Sequence, residues 1–220
     1  MIPPPVTQTL VLYAGMVVAG AALAAWTGCP SLFRAPPDGL RLVGSLALAL
    51  LAAFAVVRGG RLLEGRAWYR DMALVMRRIV TAPQLLGPEL DRGRALTLAI
   101  YSSVGEEALF RGFLQPWLIA RLAGALALAP DSALAAGLGV AGTSALFALL
   151  HPPLVPALRP WTAFALAAGL LFGGLAAWSG SLLAPVVAHL VINWLNLLRL
   201  TELAPDAEGD DAVARGRPER

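Results

Sequence analysis

From Val6 to Trp26 the chain carries no charged residue, and from Leu40 to Val57 it carries only Arg41. Runs of this length match the roughly 20 helical residues that cross a hydrocarbon core. Comparable apolar stretches follow at Ala95–Leu118, Ser132–Leu150, Trp161–Trp178 and Leu182–Leu198. Charged residues make up 14% of the 220, against about 25% in an ordinary soluble domain, which argues against a water-soluble fold. The expected fold is therefore all-α: a polytopic transmembrane helix bundle of about six spans.

The stretches between spans carry their own signals. Ala22-Leu23-Ala24 resembles a signal-peptide cleavage site, but no basic residue precedes the first run, so a retained span is the preferred reading. Arg58, Arg61, Arg66, Arg70, Arg77, Arg78, Arg92 and Arg94 crowd the next segment. Trp68, Met72, Val75, Met76 and Ile79 share one helical face there, as in an amphipathic helix lying in the membrane interface; a connecting helix packed on the protein is the alternative. Arginine-rich loops face the cytoplasm, which places the N-terminus there too. Ser179-Gly180-Ser181 reads as a tight turn between the last two spans. The organisation expected is two N-terminal transmembrane helices (1–60), an arginine-rich segment (61–94), a membrane-embedded core (95–200) and a disordered tail (201–220). The formal charge of +3 comes entirely from arginine, without aromatic interleaving on a soluble face; lipid headgroups suit it better than nucleic acid. The single Cys29 excludes an internal disulfide and a thiolate metal cage.

Ionisable groups at membrane depth are costly and therefore point to function. Here they form three islands: Glu106, Glu107 and Arg111; His151; and His189 with Asn193. Glu107 and Arg111 are four residues apart and can pair on one helical face. On an ideal helix Glu106 points elsewhere, sharing its face with Phe110 and Phe113. Desolvation disfavours the charged form of a carboxyl group and brings it toward the range useful for general acid and base chemistry. Two adjacent glutamates thus receive different roles. His189 and Asn193, also four apart, can both donate to one point, as stabilising an oxyanion requires. Phe147 stands one turn before His151, and that imidazole could share a water with Glu106. Each island alone fits ordinary helix-to-helix gluing. Both histidines and both intramembrane acids on the same three spans point to chemistry.

These motifs, Glu106-Glu107-x-x-x-Arg111, Phe147-x-x-x-His151 and His189-x-x-x-Asn193, occur in the order of a known family. Over roughly Ala95–Leu200 the chain resembles the intramembrane CAAX proteases and bacteriocin-processing enzymes, also called the CPBP or Abi family. The resemblance implies peptide-bond hydrolysis in a membrane-associated peptide or protein, near its C-terminus, in a bacterial cytoplasmic membrane. By that resemblance Glu106 activates water with help from His151, His189 and Asn193 stabilise the oxyanion, and Glu107, Arg111 and Phe147 support them. A mechanism without metal or other cofactor is the preferred one. A zinc reading stays open, with Glu106, His151 and His189 as ligands and a fourth position free, although no His-Glu-x-x-His helix occurs.

Three rivals remain at this level. A serine protease would use Ser144 in Gly142-Thr143-Ser144 with His189 as base, leaving the acidic pair idle. A proton-relay transporter could use the same carboxylates and imidazoles. A scaffold or immunity protein could retain the cluster without catalysis.

Overall fold

The computed structural model describes residues 4–29, 38–82, 91–153 and 155–202. Pro83, Pro88 and the expected tail from residue 203 onward lie outside them. Among the described residues every regular element is helical: α1 (Pro4–Thr27), α2 (Gly39–Leu63), α3 (Ala67–Val80), α4 (Arg92–Leu109), a π-turn (Phe110–Leu114), α5 (Gln115–Ala125), α6 (Ala133–Leu149), a 3₁₀ turn (Pro156–Leu158), α7 (Arg159–Ser179) and α8 (Leu183–Glu202).

Four of these, α1, α2, α7 with its leading turn, and α8, are long and apolar enough to cross a membrane, while α6 is a shorter apolar helix. The protein is an integral membrane protein. The third expected span behaves differently. Ala95–Leu118 folds as α4, the π-turn and the start of α5, and α4 carries Arg92, Arg94, Glu106 and Glu107. Two of these four charges, Glu106 and Glu107, are the ones that mark the site.

Why the helix widens at Phe110–Leu114 follows from Pro116. A proline cannot donate to the carbonyl four residues back, and its ring clashes with that carbonyl. The wide turn relieves this: the Gln115 N–H bonds to Phe110 O, five residues back, and Pro116 falls in the first turn of α5. The extra residue sets back everything after it by about 100°. Phe110 accordingly packs on Phe147, centroids 5.1 Å apart and edge-on, whereas Phe113 lies by Trp117. The shared face expected for Glu106, Phe110 and Phe113 does not survive the π-turn.

α4 sits centrally, packed against α1 on one side and α8 on another, with α2 behind α8 and α6 against α7. Small residues allow these approaches. Ser45, Ala49, Ala53 and Val57 form the buried stripe of α2, and Ala49 and Ala53 share a core with Phe172, Leu175, Ala184, Ala188 and Ile192. Close backbone contact is how helices associate where lipid offers no hydrophobic drive. Outward, Val11, Leu12, Val18, Val43, Leu51, Phe54 and Leu170 are exposed, as lipid-facing side chains should be.

α3 is amphipathic, as expected. It also rests on the 156–158 turn, α7 and α8, which fits the packed connecting helix as much as an interfacial one. The turn after α7 forms as expected: Gly180 takes φ +66°, a conformation that favours glycine. The Ser181 N–H donates to Ser179 Oγ and the Leu183 N–H to Ser181 Oγ, opening α8.

Candidate active site

Glu107 and Arg111 pair as the sequence spacing suggests, with Arg111 Nη1 donating to Glu107 Oε1 at 3.0 Å and both side chains fully buried. The same carboxylate oxygen accepts from His189 Nδ1 at 2.8 Å. Arg111 is held from two further directions. Its Nη2 donates to the Gly169 carbonyl of α7 at 3.1 Å. Its guanidinium lies over Phe147 at 4.8 Å and over Phe110 and Phe172 at 5.6 Å each, where aromatic faces attract cations. Gln115, four residues on, repeats the pattern by donating to Gly173 O at 3.0 Å.

Glu106 is arranged otherwise. Its side chain keeps 13% exposure against none for Glu107, and its Oε2 stands 3.8 Å from His189 Nε2. His189 therefore sits between the two glutamates, one ring nitrogen toward each, with its ring stacked on Phe172 at 4.6 Å. Because Nδ1–H is committed to Glu107, Nε2 carries a lone pair when the ring is neutral and a proton only when it is an imidazolium.

His151 lies just past the end of α6 and is half-buried. Its Nδ1 faces the Phe147 carbonyl at 2.8 Å. A carbonyl can only accept, so Nδ1 holds the proton and a neutral His151 presents Nε2 as a base. Thr162 anchors the backbone here by donating to His151 O at 2.6 Å. Phe147 touches both imidazoles, with centroids 4.5 Å from His151 and 6.3 Å from His189. Of the two imidazoles, His189 is the one within 4 Å of the Glu106 carboxyl, at 3.8 Å.

Asn193 turns its amide to the α4 face one turn before the acids, where Nδ2 donates to Ser102 Oγ at 3.1 Å. The structure thus gathers Glu106, Glu107, Arg111, Phe147, His151 and His189 around one point and holds Asn193 at its edge through Ser102. Sequence reasoning did not find Ser102, the acceptor for Asn193, or Phe172, the ring stacked on His189.

The serine-protease alternative loses support here. Ser144 is fully buried and donates its hydroxyl to Val140 O of its own helix at 2.6 Å, while His189 serves the two glutamates.

Residues 90–195 match the family model described as Type II CAAX prenyl endopeptidase Rce1-like. Over this segment the chain is similar to that family. No curated protein and no solved structure matches the chain. At family level the Rce1-like segment is an intramembrane endopeptidase of CAAX-protease type, acting on membrane-associated substrates. It runs from just before α4 into α8 and contains every motif residue, whereas α1, α2 and α3 precede it.

Proposed function

We propose that this protein hydrolyses a peptide bond near the C-terminus of a membrane-associated protein, using Glu106 to activate water. One observation carries the reading: of two adjacent glutamates, Glu107 is consumed by Arg111 and His189, and Glu106 retains accessible surface beside the other nitrogen of the same imidazole.

The charges support it. Glu107 and Arg111 cancel, and a buried cluster costs least when its net charge is zero. That leaves two balanced states for the remaining pair: both neutral, or Glu106 ionised with His189 as an imidazolium. In the second state Glu106 takes a proton from water as its oxygen attacks the scissile carbonyl carbon. His189 Nε2–H and one N–H of Asn193 then donate to the developing oxyanion. Collapse breaks the C–N bond, and the proton on Glu106 passes to the leaving amine. His151, with Nε2 unprotonated, orients the water. No step needs a metal.

In this reading the Arg92–Ala125 segment and α6 complete six crossings of a bacterial cytoplasmic membrane, with the arginines around α3 on the cytoplasmic side. Cys29, just after α1, then faces outward, and as the only cysteine it reports topology directly. A membrane-impermeant maleimide should label it in intact cells; labelling only after lysis would invert the topology.

The test of activity is cleavage of an internally quenched farnesylated CAAX peptide by purified protein in liposomes, alongside the same peptide without the prenyl group. Glu106→Gln should slow cleavage by about 10²-fold or more, and a chelator should leave the wild-type rate unchanged. Cleavage at the wild-type rate in Glu106→Gln overturns the assignment.

A further inference from the structure

We infer that Thr162 is a positioning residue for His151, so that α7, which carries none of the motif residues, sets where the water-orienting imidazole stands. The inference rests on the role proposed above for His151. Pro152 creates the need for such a residue. The residue before a proline is pushed out of the helical region, so α6 ends at Leu149 and His151 lies beyond it. A continuing helix would pair the His151 carbonyl with the N–H four residues on. Instead Thr162 Oγ1 donates to that carbonyl at 2.6 Å, across eleven residues of chain.

The contact belongs to a series along one helix. Gly169, seven residues after Thr162 and so on nearly the same face of α7, offers its carbonyl to Arg111 at 3.1 Å. Phe172 stacks on His189 at 4.6 Å. One helix therefore touches all three polar islands: the acid–arginine island through Gly169, His189 through Phe172, and His151 through Thr162. Trp161, beside Thr162, adds a ring 6.0 Å from the His151 imidazole and is itself stacked on Phe164 at 5.5 Å.

His151 is thus held at both ends. Its side chain is fixed from α6, by Nδ1 against the Phe147 carbonyl at 2.8 Å and by the Phe147 ring at 4.5 Å. Its backbone is fixed from α7. The bond to Phe147 alone would leave the residue free to swing about the end of its helix, because Pro152 has no N–H to anchor it. Small displacements of an orienting group are costly to a reaction. A hydroxyl supplies the second anchor without adding charge to the cluster.

Thr162→Val in the full-length protein in liposomes tests this, because valine keeps the shape and loses the hydroxyl. Turnover of the farnesylated peptide should fall about 3- to 10-fold, the effect of one neutral hydrogen bond, with KM unchanged. Thr162→Ser, which restores the donor, should recover wild-type turnover. In a His151→Gln background Thr162→Val should cost nothing further, as expected of a residue that acts through His151. A reading without substrate exploits the presence of only two histidines. In protein carrying isotope-labelled histidine, the imidazole nitrogen resonances that vanish in His151→Gln should shift in Thr162→Val and return in Thr162→Ser. Wild-type turnover in His151→Gln would remove the role of that imidazole and this one with it. A slowed His151→Gln beside a folded Thr162→Val with wild-type kcat and unmoved resonances overturns the role of Thr162 alone, as does an undiminished loss from Thr162→Val in the His151→Gln background. Should Thr162→Val not fold, Thr162→Ala takes its place in each comparison; if neither folds, the contact serves stability and the positioning role falls.

Discussion

The inner and outer halves of the polar cluster solve opposite problems with neighbouring residues. Inside, Glu107 and Arg111 have no exposed side-chain surface and are tied to each other, to His189 and to the Gly169 carbonyl. Outside, Glu106 keeps some exposure, and His151 spends Nδ1 on its own helix and leaves Nε2 free. In a low-dielectric interior a charge must be paired or it destabilises the fold. Capacity for reaction therefore survives only at the edge, where accessible surface remains. The inner half holds the shape, and in the proposed mechanism the outer half does the work.

The strongest test of that division is a crossed pair of substitutions. Glu106→Gln should lower turnover by about 10²- to 10⁴-fold, the usual contribution of a general base, and leave the thermal unfolding midpoint in detergent unchanged. Arg111→Ala should do the reverse first: leaving Glu107 buried and uncompensated costs about 3–5 kcal/mol, read as a large drop in the same midpoint. A Glu106→Gln protein that melts early, or an Arg111→Ala protein of undiminished stability, breaks the contrast.

What the sequence made legible follows the range of the interactions. The Glu107–Arg111 pair is local, four residues on one helix, and so are the Ser179–Ser181 turn and the long apolar helices. The second contact of Glu107, to His189, joins residues 82 apart in the chain. Periodicity says which face His189 occupies on α8 but not which neighbour claims its Nδ1. The π-turn was missed because its cause is a single residue, Pro116, and its effect is a rotation that ideal-helix geometry does not contain. α4 is less apolar than the other long helices because it carries Arg92, Arg94, Glu106 and Glu107. The approach of α1 to α4 through Gly20 and Gly105 was invisible because nothing local to either helix announces that pairing.

That pairing offers a smaller test, between the halves rather than within one. Gly105→Ala places a methyl group 2.8 Å from the Tyr13 carbonyl oxygen, against backbone that cannot swing aside. Overpacking of this kind costs about 1–3 kcal/mol. If α1 only shields the bundle, the thermal midpoint should drop and kcat, measured well below it, should hold. If α1 also serves Glu106, kcat should fall at that low temperature too.

The smallest expected effect concerns Asn193, the one member of the motif set held at the edge rather than the centre. Its Nδ2 donates to Ser102 Oγ, and Ser102 is buried, so the amide orientation depends on a hydroxyl one turn before Glu106. Ser102→Ala deletes that acceptor without touching a charge, and a typical neutral hydrogen bond contributes about 0.5–1.5 kcal/mol. Turnover should therefore fall only about 2- to 10-fold, with KM nearly constant, because an amide free to rotate still donates part of the time. Asn193→Ala removes the donor outright and should cost about 10²- to 10³-fold, as oxyanion donors do. A double variant no slower than Asn193→Ala would establish that Ser102 acts through Asn193 alone. Additive losses would instead give Ser102 a contact of its own with the reacting groups, extending the outer half of the cluster along α4.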